Sequence, residues 1–269
     1  MTRETELLAQ DPIDPLPPWF AEAPAEELLR RALERWPQRL VLASSLQAES
    51  LVILDMVSRL DHGQRLGALR LVTLDTGRLP EETYDLMERV RERYGLDFEV
   101  YGPDPQALAD LVARRGPNLF RKSPSDRRAC CQVRKVEPLR RALAGADAWI
   151  SGLRRDQSAS RHHAQKLETD PKHRGLFKLN PLVDWTWDRV WEYVRQHDVP
   201  YHAFYDQGYT SIGCAPCTRS IRPWEDHRAG RWWWEQDGEA KECGLHWSAP
   251  STSNGPLPIH QPMHRENEP

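Results

Sequence analysis

Residues 39–60 read RLVLASSLQAESLVILDMVSRL. The first five, RLVLA, are a short apolar run of the length a buried strand needs, and Ser44-Ser45 ends it. From residue 47 to 60 the apolar residues at 51, 54 and 57 recur at helical spacing, which predicts a helix. A strand, a tight polar turn and a helix make up the first half of a βαβ unit. Upstream, EELLRRALERW at 26–36 reads as a helix stopped by Pro37. Downstream, LRLVTL at 69–74 is a second strand. A helix over 80–94 follows, with Pro80 in its first turn and Glu81 and Glu82 complementing its dipole. DFEVY at 97–101 is a third strand and 106–114 a helix. A long helical stretch around 127–144 precedes AWIS at 148–151, a fourth strand. Strands alternating with helices predict an α/β fold around a mainly parallel sheet. Residues 154–178 are polar, basic and poorly periodic, so they are expected to form a long loop. TWDRVWEYVRQH at 186–197 is an amphipathic helix, and beyond Tyr201 the periodicity fades.

The expected organisation is one α/β domain over 25–210, an N-terminal arm over 1–24, a C-terminal segment over 211–247, and a disordered tail over 248–269. With 269 residues, 39% of them hydrophobic, the chain can bury one sizeable core. Its net charge of −3 argues against a general attraction to nucleic acid or anionic membrane. The N-terminus has neither the apolar run of a signal peptide nor that of a membrane span, so a cytoplasmic protein is expected.

The five cysteines fall as Cys130-Cys131, Cys214 with Cys217, and Cys243 alone. In a reducing compartment cysteines serve metal binding or catalysis more often than disulfides. Two tight pairs and a singleton suggest four ligands and one reactive thiol. Four thiolates suit a [4Fe–4S] cluster or a structural zinc, and the adjacent pair is unusual for zinc. Lys135, four residues after Cys131, shares its face on a helix and would bring positive charge to that centre. Cys243 lies between Lys241 and His246, which could favour its thiolate.

In open parallel sheets ligands bind at the C-terminal ends of the strands. That rule selects the loops 44–50, 75–79 and 152–178. Several motifs there and beyond occur together: Ser44-Ser45-Leu46-Gln47-Ala48-Glu49; Leu74-Asp75-Thr76-Gly77-Arg78-Leu79-Pro80; Cys130-Cys131 with Arg134-Lys135; Gly152-Leu153-Arg154-Arg155 with Arg161; Cys214-Ala215-Pro216-Cys217; Arg231-Trp232-Trp233-Trp234-Glu235; and Glu242-Cys243-Gly244-Leu245-His246. In this combination, from about residue 25 to 247, the chain resembles the bacterial assimilatory APS/PAPS reductases, and in particular the cluster-containing reductases of adenosine 5′-phosphosulfate (APS). The resemblance implies a Rossmann-like sheet of the adenine nucleotide α-hydrolase type, related to ATP pyrophosphatases, with a C-terminal extension carrying the catalytic cysteine. It implies one [4Fe–4S] cluster per chain on Cys130, Cys131, Cys214 and Cys217, and a nucleophile at Cys243. It also implies reduction of APS to sulfite and AMP, with a thioredoxin or glutaredoxin-type thiol as reductant and a homo-oligomer as one possible assembly. The loop 44–50 departs from relatives in lacking a glycine they often carry.

On that resemblance, Ser44, Ser45 and the following helix N-terminus would offer hydroxyls and free N–H groups to an anion. Leu74, Asp75, Thr76 and Gly77 would form a turn against the adenine, Gly77 permitting close approach. Lys135, Arg154, Arg161, Arg228 and Arg231 would neutralise the phosphosulfate, with Arg228 and Arg231 sharing a helical face. The nearest rival is a reductase of 3′-phosphoadenosine 5′-phosphosulfate (PAPS), or a dual-specificity enzyme; the paired cysteines favour APS. A tRNA thiolation enzyme of the ATP pyrophosphatase type would want a glycine-rich SGGxDS loop where this chain has SSLQAES. A zinc module binding nucleic acid through the basic loop 154–178 fits poorly with the acidic net charge.

Overall fold

A computed structural model describes residues 19–60, 66–173 and 175–235. Two helices lead in: α1 (Trp19–Glu22) and α2 (Ala25–Arg35). Then β1 (Leu40–Ser44), α3 (Ala48–Arg59), β2 (Leu69–Leu74), α4 (Glu81–Tyr94), β3 (Glu99–Tyr101) and α5 (Pro105–Arg115) alternate. Next come α6 (Pro124–Cys131), a π turn over Gln132–Val136, α7 (Glu137–Ala142) and β4 (Ala148–Ile150). β5 (Leu167–Asp170), β6 (Leu176–Leu179) and α8 (Trp187–His197) complete the regular elements.

The six strands form one sheet in the order β3-β2-β1-β4-β6-β5, parallel except for the β5–β6 pair. Period-2 alternation puts successive residues on opposite faces. Leu40, Leu42, Leu69, Leu71 and Ile150 join the core beneath α2, α3, α4 and α8, whereas Val41, Val72 and Trp149 join a second core beneath α7. The sheet is therefore covered on both sides, as a parallel sheet requires. Helix ends follow the sequence signals: Asp104 accepts from Ala107 N at 2.8 Å, Ser123 from Asp126 N at 3.1 Å and Thr186 from Arg189 N at 3.2 Å. No helix among the described residues is long and apolar enough to cross a membrane.

Two expectations need correction. The stretch 154–178 is not one loop, since β5 and β6 lie within it and extend the sheet. Residues 19–24, assigned to the N-terminal arm, hold α1, whose Phe20 is buried against Trp36 with ring centroids 5.9 Å apart.

Two buried polar groups fix the helical layer. Asp55 on α3 is 1% exposed and accepts from Arg59 Nε at 2.5 Å, from the Tyr94 hydroxyl at 3.0 Å and from the Tyr193 hydroxyl at 3.0 Å. One carboxylate thus joins α3, α4 and α8, and burial followed by its charge drives both phenol pKa values upward. His202 is fully buried. Its Nδ1 accepts from Phe204 N at 3.2 Å, which leaves the proton on Nε2, 3.0 Å from Thr83 Oγ1.

Burial holds the His202 pKa below its usual 6.5, with Arg89 adding to the effect and Glu82 opposing it. Below about pH 6.5 the unfolded chain takes up a proton that the folded chain resists, so stability falls as pH drops, by at most about 1.4 kcal/mol per pH unit for one proton. Chemical denaturation between pH 7 and 5 should show His202→Gln with a shallower acid slope than the wild type. Equal slopes would remove His202 from the acid response.

Candidate active site

One large cavity opens at the C-terminal ends of β1, β2 and β4, where the strand order reverses between β1 and β4. Its walls come from the loop after β1, the end of β2, the π turn, the loop after β4 and two C-terminal stretches. Of the predicted residues, Ser44, Ser45, Leu74, Thr76, Lys135, Arg161, Arg228 and Arg231 line it, while Asp75, Gly77 and Arg154 do not.

The loop after β1 satisfies its own polar groups. Ser44 Oγ accepts from Leu46 N at 3.2 Å and donates to Ser50 Oγ at 3.1 Å. Ser45 Oγ accepts from Gln47 Nε2 at 3.2 Å, and Ala48 N, at the α3 terminus, donates to the Tyr205 hydroxyl at 3.1 Å. The free N–H groups expected at this helix start are thus partly engaged. Leu46 takes a left-handed φ of 56° and is 1% exposed. That conformation favours glycine, and burial of the leucine side chain offsets its cost here.

The turn after β2 faces the cysteines more than the cavity. Asp75 Oδ1 accepts from Gly77 N at 2.7 Å and from the Tyr84 hydroxyl at 3.0 Å. Gly77 has φ 66°, and the Thr76 carbonyl accepts from Arg134 Nη1. Thr76 Oγ1 lies 3.2 Å from Cys214 Sγ. This turn is a brace between the sheet and the cysteine region.

Arg154 departs most clearly from expectation. It is fully buried, with Nε on Glu49 Oε1 at 3.0 Å and Nη1 on Asp156, so its charge is spent on carboxylates. Arg228 and Arg231 do not share a helix. They sit on successive turns, Arg231 N donating to the Arg228 carbonyl at 2.9 Å. Both still reach Ser211 Oγ, Arg228 Nη1 at 3.4 Å and Arg231 Nη1 at 3.2 Å. Four cationic side chains therefore line the cavity, Lys135, Arg161, Arg228 and Arg231, against one carboxylate, Glu49, which is already paired. Such a surplus of positive charge selects an anion. Val72, Leu74 and Leu139 supply an apolar wall. Glu49 and Gln157 also line the cavity from the selected loops 44–50 and 152–178, though neither was singled out, whereas His227 and Thr210–Gly213 were missed.

Cys130, Cys131, Cys214 and Cys217 are all buried and none is in a disulfide. Cys130, Cys214 and Cys217 share one apolar cluster with Leu111, Leu119, Phe120 and Trp232. Among the described residues no three metal-binding side chains converge on a point. Burial raises the Cys130 pKa and lifts that of Cys217 to about 11, and the sulfurs raise one another further. Burial also works against the Cys214 thiolate, but Lys135, the Thr76 hydroxyl, Arg231 and Arg134 outweigh it and hold that pKa below the usual value. A soft, all-sulfur donor set in an apolar wall with compensating cations fits an iron–sulfur group. Lys135 faces both regions, because it lines the cavity and its charge acts on Cys214 and Cys217. Cys243 lies outside the described residues.

The described chain ends on an anchor. Arg127 Nε on α6 meets Glu235 Oε1 at 2.5 Å, and both side chains are almost fully buried. The Arg127 guanidinium lies 4.5 Å from the Trp232 ring centroid, and Trp232 N donates to the Cys217 carbonyl at 3.3 Å. The segment is thus tied to both cysteine pairs.

Residues 39–220 match the family model described as the phosphoadenosine phosphosulfate reductase domain. An adenosine 5′-phosphosulfate reductase of Allochromatium vinosum is 51% identical over 225 residues, covering 84% of this chain and 85% of the relative. Adenosine 5′-phosphosulfate reductase 2 of Bacillus subtilis is 42% identical, covering 82% and 88%. Among solved structures, the phosphoadenylyl-sulfate reductase of Candida auris in its phosphate complex superposes with a TM-score of 0.61 at 28% identity, covering 74% of this chain and 91% of that one. The FMN adenylyltransferase of Candida glabrata, at 16% identity and a TM-score of 0.53, shares the fold alone.

The Arg127–Glu235 pair carries a direct test. Arg127→Met leaves the Glu235 carboxylate buried without its cation, a change that costs about 3–5 kcal/mol. Thermal unfolding should show this loss, and limited proteolysis should cut the 231–235 segment faster than in the wild type. An unchanged midpoint and cleavage pattern would show that the pair does not anchor the segment.

Proposed function

The chain belongs to the phosphoadenosine phosphosulfate reductase domain family, and on that premise we propose that it reduces adenosine 5′-phosphosulfate to sulfite and AMP in sulfate assimilation. The observation that carries the reading is the cavity at the strand-order reversal, with an apolar wall at Val72, Leu74 and Leu139 and the cations Lys135, Arg161, Arg228 and Arg231. The wall suits an adenine and the cations suit two linked oxyanions. APS rather than PAPS is favoured because the relatives that match most of this chain at 41–51% identity carry the APS name.

Cys243 is the nucleophile in this reading. It lies eight positions beyond the Glu235 anchor, a contour of at most about 28 Å. Its thiolate attacks the sulfate sulfur once Lys135 and the arginines have neutralised the phosphosulfate, since two anions otherwise repel. The sulfur–oxygen bond breaks, AMP leaves with the bridging oxygen, and Cys243 carries a thiosulfonate. A thiolate of a thioredoxin or glutaredoxin-type dithiol then attacks the Cys243 sulfur and expels sulfite. Its second thiol resolves the mixed disulfide, so the dithiol supplies both electrons. Cys130, Cys131, Cys214 and Cys217 would hold a [4Fe–4S] cluster, which when bound supplies a fixed local charge beside Lys135. Lys135 orients the sulfate end of the substrate, and Thr76 holds Cys214. Four thiols kept reduced are consistent with a cytoplasmic setting.

Mass spectrometry after mixing the protein with APS alone should find one sulfonate added to Cys243, absent in Cys243→Ser. No adduct on cluster-intact protein under anaerobic conditions would overturn the covalent step. The cofactor is tested separately. Anaerobically purified protein should contain about four iron and four sulfide per chain, and Cys214→Ser should lose most of both. Zinc in place of iron would overturn the assignment.

A further inference from the structure

Glu49 enters the cavity wall from the first turn of α3 without being one of the groups that suit an oxyanion. It is 4% exposed, and its Oε1 receives two donors, Arg154 Nε at 3.0 Å and Gln157 Nε2 at 2.9 Å. Gln157 stands on the short turn Arg155–Gln157 after β4. Because its amide nitrogen is committed to Glu49, its Oε1 must point the other way. There it accepts from Arg154 N at 3.1 Å and from Nη1 of Arg161, the buried arginine on the cavity wall. The loop is held close enough for this by Gly152, where a Cβ would come within 2.9 Å of Glu49 Cβ and 3.2 Å of Ser50 N.

We infer that Glu49 is a positioning residue that secures the Gln157 amide and, through it, aims the Arg161 guanidinium at the phosphate end of the bound nucleotide. The physical reason is that a carboxylate can only accept, whereas an amide has two nearly isosteric ends. The backbone already favours one sense of Gln157, since its Nε2 also donates to the Gly152 carbonyl at 3.4 Å and its Oε1 accepts from Arg154 N, and the shorter bond to Glu49 locks that sense. Without that acceptor Gln157 Nε2 keeps only the longer bond to the Gly152 carbonyl, so the amide is held less firmly and with it the oxygen that receives Arg161. Arg154 pairs with Glu49, so the carboxylate brings no unbalanced negative charge to the cavity wall. The inference rests on the reading of the cavity as a nucleotide site.

The test compares AMP with adenosine by calorimetry on the full-length protein. Glu49→Met keeps the side-chain volume and removes both acceptor oxygens. It should weaken AMP binding about tenfold or more and leave adenosine binding unchanged, since Arg161 serves the phosphate alone. Glu49→Gln, whose amide oxygen can still accept from Gln157, should recover most of the AMP affinity. Gln157→Leu, at a less buried position, should reproduce the Glu49→Met loss. Glu49→Met added to Arg161→Ala should cost nothing further, because both act through one guanidinium. If Arg161→Ala weakens AMP and neither Glu49→Met nor Gln157→Leu does, the relay is wrong and the site stands. If Arg161→Ala leaves AMP binding intact, the placement of the phosphate fails and the relay with it. Equal losses for AMP and adenosine in Glu49→Met and Gln157→Leu would reduce Glu49 to a packing role.

Discussion

The position of β1 governs the rest of the molecule. It is hydrogen-bonded to β2 on one side and β4 on the other, and Leu40, Val41 and Leu42 are buried completely. A strand with both ladders filled and both faces covered has no freedom to slip, because a one-residue shift would exchange Leu42 with Val41 between two different cores. Its C-terminal end is therefore fixed. The chain leaves one side of it for β2 and β3 and the other side for β4, β6 and β5, so a crevice opens where the connections diverge. Every element bearing on the proposed chemistry reaches that crevice. The loop 44–50 comes directly off β1, the brace 75–78 off β2 and the Gly152–Arg161 loop off β4.

Charge is distributed by the same logic. Burying an ion is costly unless a partner follows it, and the buried carboxylates Asp55, Glu49 and Glu235 each have an arginine. What remains around the cavity is positive. Arg231 illustrates the balance: its Nη1 is committed to Ser211 and Ile212, while its Nε is buried with no hydrogen-bond partner among the described residues. Arg231 and Lys135 also act on Cys214. The anion site and the thiol cluster thus draw on the same two cations, so charge added to one region is felt in the other at short range and low dielectric.

The first four strands and most of their helices were legible because burial leaves a periodic trace. RLVLA and LRLVTL are apolar where both faces are covered, and the β1 and β2 observed differ from the reading by a residue or less. β5 and β6 were missed for different reasons: β5, LETD, is a half-polar edge strand, while β6, LFKL, is only four residues long and is interrupted by Lys178, which pairs with Glu168 across the ladder. The site was legible in its residue types and less so in their roles. Arg154 read as an anion ligand because nothing local reveals a carboxylate 105 positions earlier that will claim it. Arg228 and Arg231 were placed on a helix by spacing, yet two consecutive turns bring them to Ser211 equally well.

The loop after β1 shows how burial can offset an unfavourable backbone conformation. Leu46 takes a left-handed φ of 56°, a conformation that favours glycine. Leucine there loses about 1–2 kcal/mol in backbone conformation, but its side chain is buried in the main core, a gain of similar size for a leucine. The exchange is close to neutral for stability. It is not neutral for access, because a glycine would leave room beside the backbone that the leucine side chain now takes from within. The turn is thereby held from the core side, and the Ser44, Ser45 and Gln47 side chains close it on the other. The loop is thus braced from both sides, while Arg161, Arg228 and Arg231 line the same cavity.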